Sequence, residues 1–262
     1  MNYPPEMIGW ATPWHVEDLS DCWFYHRCDL PGFGEVVGDW DLRSCAGDYL
    51  GNVDFEGKSV MDVGAASGFL TFEMEKRGAV VTSFDIDSGR NWNVVPHFRI
   101  RSKLPEILAG QAAVLNKIKA GYWLSHRLLG SNARAYYGDI YNMGDDLGEY
   151  DIAYFGMIIG HLRDPFSALA EAAFRTRDTM IVTSVFHPAT QPSAQFYSTR
   201  DRYENLHIKS WYYVSIALVT QWLGVLGFET KEVVESKPYV KSVGLSTTSP
   251  ICHTIVAQRI RD

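Results

Sequence analysis

Cysteine is scarce in this sequence, and its spacing builds nothing. Cys22, Cys28, Cys45 and Cys252 stand at irregular intervals, whereas a disulfide scaffold is denser and a zinc site shows CxxC pairs. Cys22, His26 and Cys28 lie close in the chain but lack that spacing, so no metal is expected and the thiols should be reduced. Long apolar runs are absent too: none approaches the ~18 residues that cross a bilayer. The opening MNYPPEMIGW has no basic stretch followed by an apolar core, so no secretory signal is read there. These absences point to a cytoplasmic protein with no membrane partner. Positive charge is also lacking. A net charge of -7 argues against a protein whose main task is gripping nucleic acid, which needs a basic field. Arg99, Arg101 and Lys103, with Lys117 and Lys119 downstream, form one local basic group, read first as a solvated face. There is no internal repeat and no low-complexity tract.

What is present is an ordinary globular balance: 262 residues, 46% hydrophobic and 21% charged. The length suits one large domain, or one domain with a sizeable insertion. Residues 1–50, rich in Trp, Tyr, Pro and Gly, read as loops and short helices forming an aromatic flank or lid outside any sheet. From Lys58 onward, strand and helix patterns alternate. KSVMDV, AVVTSFD, ARAYYGD, YDIAYFGMII and TMIVTSVF read as five buried strands. GFLTFEMEKRG, residues 110–129, DPFSALAEAAFR and WYYVSIALVTQWLGVLG read as helices, with Asp164 as a cap, Pro165 in a first turn, and Gly78 and Gly227 as stops. FETKEVVES and CHTIVAQRI close the chain as an antiparallel pair. The pattern predicts an α/β fold, a doubly wound and mostly parallel sheet spanning 51–262. An insertion at about 88–110, carrying Trp92, Pro96 and His97, is expected near the substrate.

One stretch carries a binding signal: VMDVGAASGFLTFEMEKRGAVVTSFDID, residues 60–87. In a doubly wound sheet, ligands sit beyond the carboxyl ends of the strands. Asp62, Gly64, Ala66 and Gly68 fall at the end of the first strand of this stretch, where small residues let backbone approach a ligand. Asp85 ends the second strand, about twenty residues on, where a carboxylate accepts from ribose hydroxyls. Asp87 is its rival. A dinucleotide fingerprint wants a third small residue where Phe69 stands, so a nucleoside without a pyrophosphate fits better. Asp62 suits a ligand with a cationic amine.

DVGAASG is similar to the first motif of class I S-adenosylmethionine (SAM)-dependent methyltransferases, roughly (D/E)xGxGxG, with Ala66 in place of the middle glycine. FDID resembles the acidic second motif, and YYGDIYNM the segment that holds the adenine amino group. YDIAYFGMIIGHLRDPFSAL is similar to the fourth-strand motif, and WLGVLGFE to the late helix and its turn. The resemblance covers about residues 55–260. It implies a Rossmann-like, seven-stranded sheet with an antiparallel last strand, and SAM as cofactor. It implies that Asp62, Gly64, Ala65, Ala66 and Gly68 surround the methionine part and that Asp85 binds the ribose. Ile86 would pack on adenine, Asp139 and Ile140 would close over the base, and Met157 would belong to the cofactor site.

Methyl transfer is an in-line displacement, and a hydroxyl acceptor must lose its proton to a base. His161, after the fourth strand, is the candidate base; His187, after the fifth, is a second histidine facing the same region. Tyr25, Trp92, Tyr197 and Trp211 are candidates to line an aromatic pocket, and Arg99 and Arg200 to meet an anionic group. The resulting expectation is O-methylation of a small hydroxylated metabolite, in a protein whose oligomeric state is left open, a homo-oligomer included. The branch resembled also holds transfer RNA wobble-uridine methyltransferases, so an RNA substrate is the alternative, with a noncatalytic SAM-fold binding protein as a third reading.

Overall fold

A computed structural model describes residues 8–89, 92–202, 204, 207–240 and 249–261. The amino-terminal part holds β1 (Gly9–Trp10), β2 (Cys28–Leu30), β3 (Gly34–Val36), β4 (Trp40–Asp41) and the single turn α1 (Ala46–Tyr49). Strands and helices then alternate: β5 (Ser59–Val63), α2 (Phe69–Lys76), β6 (Val80–Ile86), α3 (Leu104–Leu129), β7 (Arg134–Gly138), β8 (Tyr150–Gly156), α4 (Pro165–Phe174) and β9 (Thr176–Ser184). The hairpin strands β10 (Ala194–Phe196) and β11 (Tyr212–Val214) precede α5 (Ile216–Val225), β12 (Phe228–Ser236), β13 (Tyr239–Val240) and β14 (Cys252–Arg259).

Eight strands form one sheet in the order β1-β7-β6-β5-β8-β9-β14-β12. β7, β6, β5, β8 and β9 run parallel, and β14 slots antiparallel between β9 and β12. The sequence order reverses at β5, which has β6 on one side and β8 on the other. That makes the carboxyl ends of β5 and β8 the switch point, where such sheets bind ligands.

Both faces of the sheet are covered, which explains the near-continuous apolar strands. Along β8, Ile152 and Tyr154 face a core with Leu70, Met74 and Tyr49, while Ala153 and Phe155 face a core with Leu169, Leu223 and Phe228. Asp164 caps α4 by accepting from the Ser167 amide at 3.0 Å, as its place before Pro165 predicts.

Three expectations change. The eighth strand is β1, which pairs antiparallel with β7, so the aromatic flank contributes to the sheet it was expected only to cover. The helix expected over 110–129 begins at Leu104, directly after a 3-10 turn at Phe98–Lys103. Finally, Tyr212–Val214 is a strand rather than helix start; α5 begins after Ser215, whose hydroxyl accepts from the Leu218 amide.

Candidate active site

The bend after β5 is held from below by a buried polar chain. Asp62 is 2% exposed and accepts from the Thr71 hydroxyl at 2.6 Å. Thr71 Oγ1 meets Ser83 Oγ at 2.9 Å, and Ser83 Oγ meets the Tyr122 hydroxyl at 2.9 Å. The chain thus ties β5, α2, β6 and α3 together. Burial pushes the Asp62 carboxyl up to about 7; the neighbouring Asp85 charge adds to the rise, and the Thr71 bond opposes it.

The backbone here is unusual. Ala66 has φ 50° and Met157, just past β8, has φ 55°. Left-handed backbone at a non-glycine residue costs of order 1–3 kcal/mol and clusters at functional sites. Two such residues stand at the ends of the adjacent strands that flank the switch point. Gly64, at φ +83°, has Ile158 packed against it: a Cβ would stand 2.7 Å from the Ile158 Cδ1. Gly68 has φ +86°, and its missing Cβ would meet the Phe72 and Tyr122 rings at 2.5 and 2.7 Å. Packing at the start of α2 therefore already requires that glycine, whereas the sequence suggested only ligand approach. Ala65 is buried beneath the bend.

At the end of β6, Asp85 is partly exposed and Asp87 buried, which favours Asp85 as the carboxylate open to a ligand. Asp85 accepts from the Ala66 amide with one oxygen and from its own neighbour Ile86 with the other, both at 2.7 Å. It is therefore already joined to the bend after β5. Burial raises its carboxyl, while those two amides and the charge of Lys119 pull it back down. Lys119, 6% exposed, donates to the Asp87 carbonyl at 2.6 Å and sits 3.8 Å from the centre of the Tyr137 ring. The sequence pattern places Lys119 on a solvated face, since a lysine in the middle of a long amphipathic helix carries no local sign of burial. Ile86 is in register with Gly138, so Asp139 and Ile140 follow immediately on the neighbouring strand. Ile140 packs against the core. Asp139 is exposed, and its carboxylate accepts from the Tyr141 amide at 3.0 Å.

His161 lies on a short 3-10 turn after β8. Its Nδ1 stands 2.7 Å from the Lys209 carbonyl. A carbonyl only accepts, so Nδ1 carries the proton and Nε2 keeps its lone pair. Burial, and then the nearby Lys209 charge, outweigh that hydrogen bond and lower the imidazole below its ordinary 6.5. Among the described residues no hydrogen bond engages Nε2. The ring is thus fixed through Nδ1, with Nε2 on its other side. His187 differs: its Nδ1 accepts from the Ala189 amide at 3.2 Å, and its ring packs on Tyr213.

The loops above the strand ends are tied into one cap. The Tyr141 hydroxyl donates to Asn93 Oδ1 at 2.5 Å and accepts from the amides of Arg163 and Asp164. The Trp211 indole donates to the Asn93 carbonyl at 2.7 Å. Trp92 lies under Lys209, and Tyr197 stacks on His207. Tyr25 is elsewhere, over the glycine bend: its amide donates to Ser67 Oγ at 3.1 Å. The structure therefore gathers Trp92, Trp211 and His161 on one side of the strand ends and Tyr25 on the other. Tyr141 and Asn93 escaped the sequence reading because each acts only through contacts made in three dimensions. Gln111, on α3, was missed as well; its side-chain oxygen is buried with no hydrogen bond among the described residues.

No protein-family model matches the sequence, and no curated protein matches it. Solved structures do resemble it in shape. The 1,6-didemethyltoxoflavin N1-methyltransferase of Burkholderia thailandensis, solved with its substrate and S-adenosylhomocysteine, is 14% identical at a TM-score of 0.50, over 84% of this chain and 78% of that one. Magnesium protoporphyrin IX methyltransferase of Synechocystis PCC 6803, solved with SAM, is 16% identical at 0.50, with the same shares. A putative RNA methyltransferase of Pyrococcus horikoshii is 15% identical at 0.50, over 83% and 85%. The chain has the Rossmann-like fold of these methyltransferases.

Proposed function

We propose that this protein is a SAM-dependent methyltransferase acting on a small hydroxylated molecule. The observation that carries the reading is the pairing of a left-handed Ala66 and Met157 at the switch point with Asp85, whose carboxylate is bonded to the Ala66 amide. Strained backbone is thereby held open toward the ligand crevice, with an acidic group beside it. The residues fit the cofactor in kind: glycine and alanine around a methionine tail, Asp62 toward its amine, Asp85 toward the ribose. Ile86, Asp139 and Ile140 would meet the base, and Met157 would stand near the sulfur. When bound, the cofactor supplies an electrophilic methyl group on a sulfonium.

The chain's own residues do the rest. His161 Nε2, unprotonated near neutral pH, takes the proton from an acceptor hydroxyl, while the Lys209 carbonyl holds the ring in one tautomer. The cap tied by Tyr141, Asn93 and Trp211 positions the acceptor and limits water. The amino-terminal segment, bonded to the glycine bend through Tyr25 and Ser67, covers the cofactor as a lid. The small-molecule enzymes among the structural neighbours favour a small acceptor; the archaeal neighbour keeps RNA as a second reading. The four cysteines are free, and among the described residues no helix is long and apolar enough to cross a membrane; both fit a cytoplasmic setting.

Calorimetry with S-adenosylhomocysteine tests the reading. The wild-type protein is expected to bind, and D85A to lose affinity at least tenfold while keeping its circular dichroism spectrum. A folded wild type that gives no heat with either SAM or its demethylated product would sink it.

A further inference from the structure

The segment between β6 and α3 and the segment between β9 and α5 meet and leave a groove of about 340 Å³ between them, walled by Val95, Pro96, Phe196, Thr199, Arg200 and Trp211. It is a built feature. The buried His97 ring clamps its two sides: Nε2 stands 3.2 and 3.1 Å from the carbonyls of Thr199 and Arg200, and Nδ1 accepts from the Arg99 amide at 3.2 Å. Carbonyls only accept, so Nε2 donates to them, and both ring nitrogens are engaged. The Val95 amide adds a bond to the Ile208 carbonyl at 2.7 Å.

The groove abuts the proposed reaction centre. The Trp211 amide donates to the Gly160 carbonyl at 2.8 Å, one residue before His161. Lys209, two residues before Trp211, supplies the carbonyl that fixes the His161 ring. One short segment thus forms the groove wall and orients the candidate base.

The walls suit a planar guest, and the rim suits an anion. Phe196 and Trp211 meet edge to face with ring centres 6.1 Å apart, and Phe196 is 47% exposed. Arg99, Arg101 and Lys103 follow one another on the 3-10 turn, and Arg200 and Arg202 stand opposite, all exposed. Asp201 approaches Arg99 at 3.7 Å, whereas Arg200 makes no ion pair among the described residues. In a chain of net charge -7, this is a local reversal of sign. The volume lies at the low end for small-molecule pockets, roughly 300–1,000 Å³.

Resting on the methyltransferase reading, we infer that this groove admits the acceptor, and that the acceptor is a planar hydroxylated molecule bearing a carboxylate or phosphate met by Arg200. The aromatic walls select the ring, Arg200 selects the charge, and His161 waits at the inner end.

Calorimetry at low salt, on the full chain without cofactor, compares matched probes: 3,4-dihydroxybenzoate against catechol, and phenyl phosphate against phenol. A uridine hexamer forms the RNA arm. At least one anionic member is expected to bind ten-fold or more tightly than its neutral counterpart. R200A should bring that pair within two-fold, and R200K should keep part of the difference. F196A should weaken both members of the pair. Equal binding of charged and neutral probes, indifference to R200A, or no heat from either anion at millimolar concentration overturns the inference. A hexamer that outcompetes both anions overturns it in favour of RNA. None of these readouts needs turnover. Loss of S-adenosylhomocysteine binding would defeat the methyltransferase reading alone, and loss of anion preference would defeat this inference alone.

Discussion

A carboxylate that is 2% exposed and bonded to one hydroxyl is an unusual thing to find under a glycine bend. Asp62 shows what the sequence reveals of single residues and what it hides. Its place in DVGAASG suggests a site residue, but nothing in the string says that it bonds Thr71 and is joined through it to Ser83 and Tyr122. Burial lifts its carboxyl from 3.8 to about 7. An acid whose pKa rises on folding holds its proton more tightly in the native state, so its stabilising effect is complete below pH 4 and is lost as pH rises toward 7. D62N removes the cost of ionisation while keeping an oxygen for the Thr71 hydroxyl. Its stability relative to wild type should be near parity at pH 4 and increasingly favourable up to pH 7–8, as read from urea midpoints. Asp85 is raised as well and repels Asp62, so D62N also relieves Asp85, which acts in the same direction as pH rises. A flat difference across pH would refute the assignment. His161 makes the opposite statement. Its pKa is lowered, so the base form dominates at pH 7 and persists below 6.5. Ring nitrogen NMR should report an Nδ1–H tautomer with a midpoint below 6.5, and a cationic ring at pH 7 would remove it as a base. With an acceptor in hand, H161Q should cost roughly 10²–10⁴ in turnover and leave cofactor affinity unchanged.

Elements were legible where one physical signal dominated. The five parallel strands are apolar because both their faces are buried, and α4 was marked by Asp164 and Pro165 at its start. The stretch WYYVS misled because its apolar residues continue smoothly into those of α5. Only Ser215, a hydroxyl in the capping position, separates strand from helix, and β11 exists because β10 pairs with it. Such pairing partners, Ala194 with Val214 and Phe196 with Tyr212, lie too far apart in the chain to leave a local trace. The same holds for the cap over the strand ends, where Tyr141 joins the loops after β6, β7 and β8. Y141F would strip the hydroxyl, take from Asn93 Oδ1 one of its donors while the Arg163 amide still reaches it at 3.0 Å, and leave the Asp164 amide short of its acceptor. Unsatisfied groups of this kind cost ~1–3 kcal/mol each when buried, less when water reaches them. We expect a loss of about 1–2 kcal/mol in urea unfolding, and a weakened acceptor affinity with S-adenosylhomocysteine binding intact. Equal loss of cofactor binding would mean that Tyr141 supports the whole crevice instead of its acceptor side.

At the scale of the molecule, the sequence drew a boundary near residue 50 that the packing blurs. The aromatic residues of the amino-terminal segment were legible as a surface seeking cover. Which surface covers them was not, since their partners lie a hundred or more residues away. Val16, Phe24 and Leu30 pack with Tyr122 and Trp123 of α3. Leu42, Tyr49 and Leu50 join Val60, Leu70 and Ile181 in the core under the sheet. The Tyr49 carbonyl accepts from Thr183 and Thr254 at 2.9 and 3.0 Å, and β1 extends the sheet past β7. A segment held by two cores and a sheet edge should not unfold by itself. Trp10, Trp14, Trp23 and Trp40 lie within it, half of the 8 tryptophans, so tryptophan fluorescence weights this region, while far-ultraviolet circular dichroism weights the sheet and helices beyond it. Coincident midpoints and slopes in urea are expected, as for one cooperative unit. Hydrogen exchange should then find the amides of Tyr49 and Leu50, bonded within α1, protected to the same free energy as those of β9, because local opening there would expose the core of the whole sheet. A fluorescence transition that precedes the dichroic one, with early exchange throughout residues 8–50, would instead make the segment an independently mobile lid.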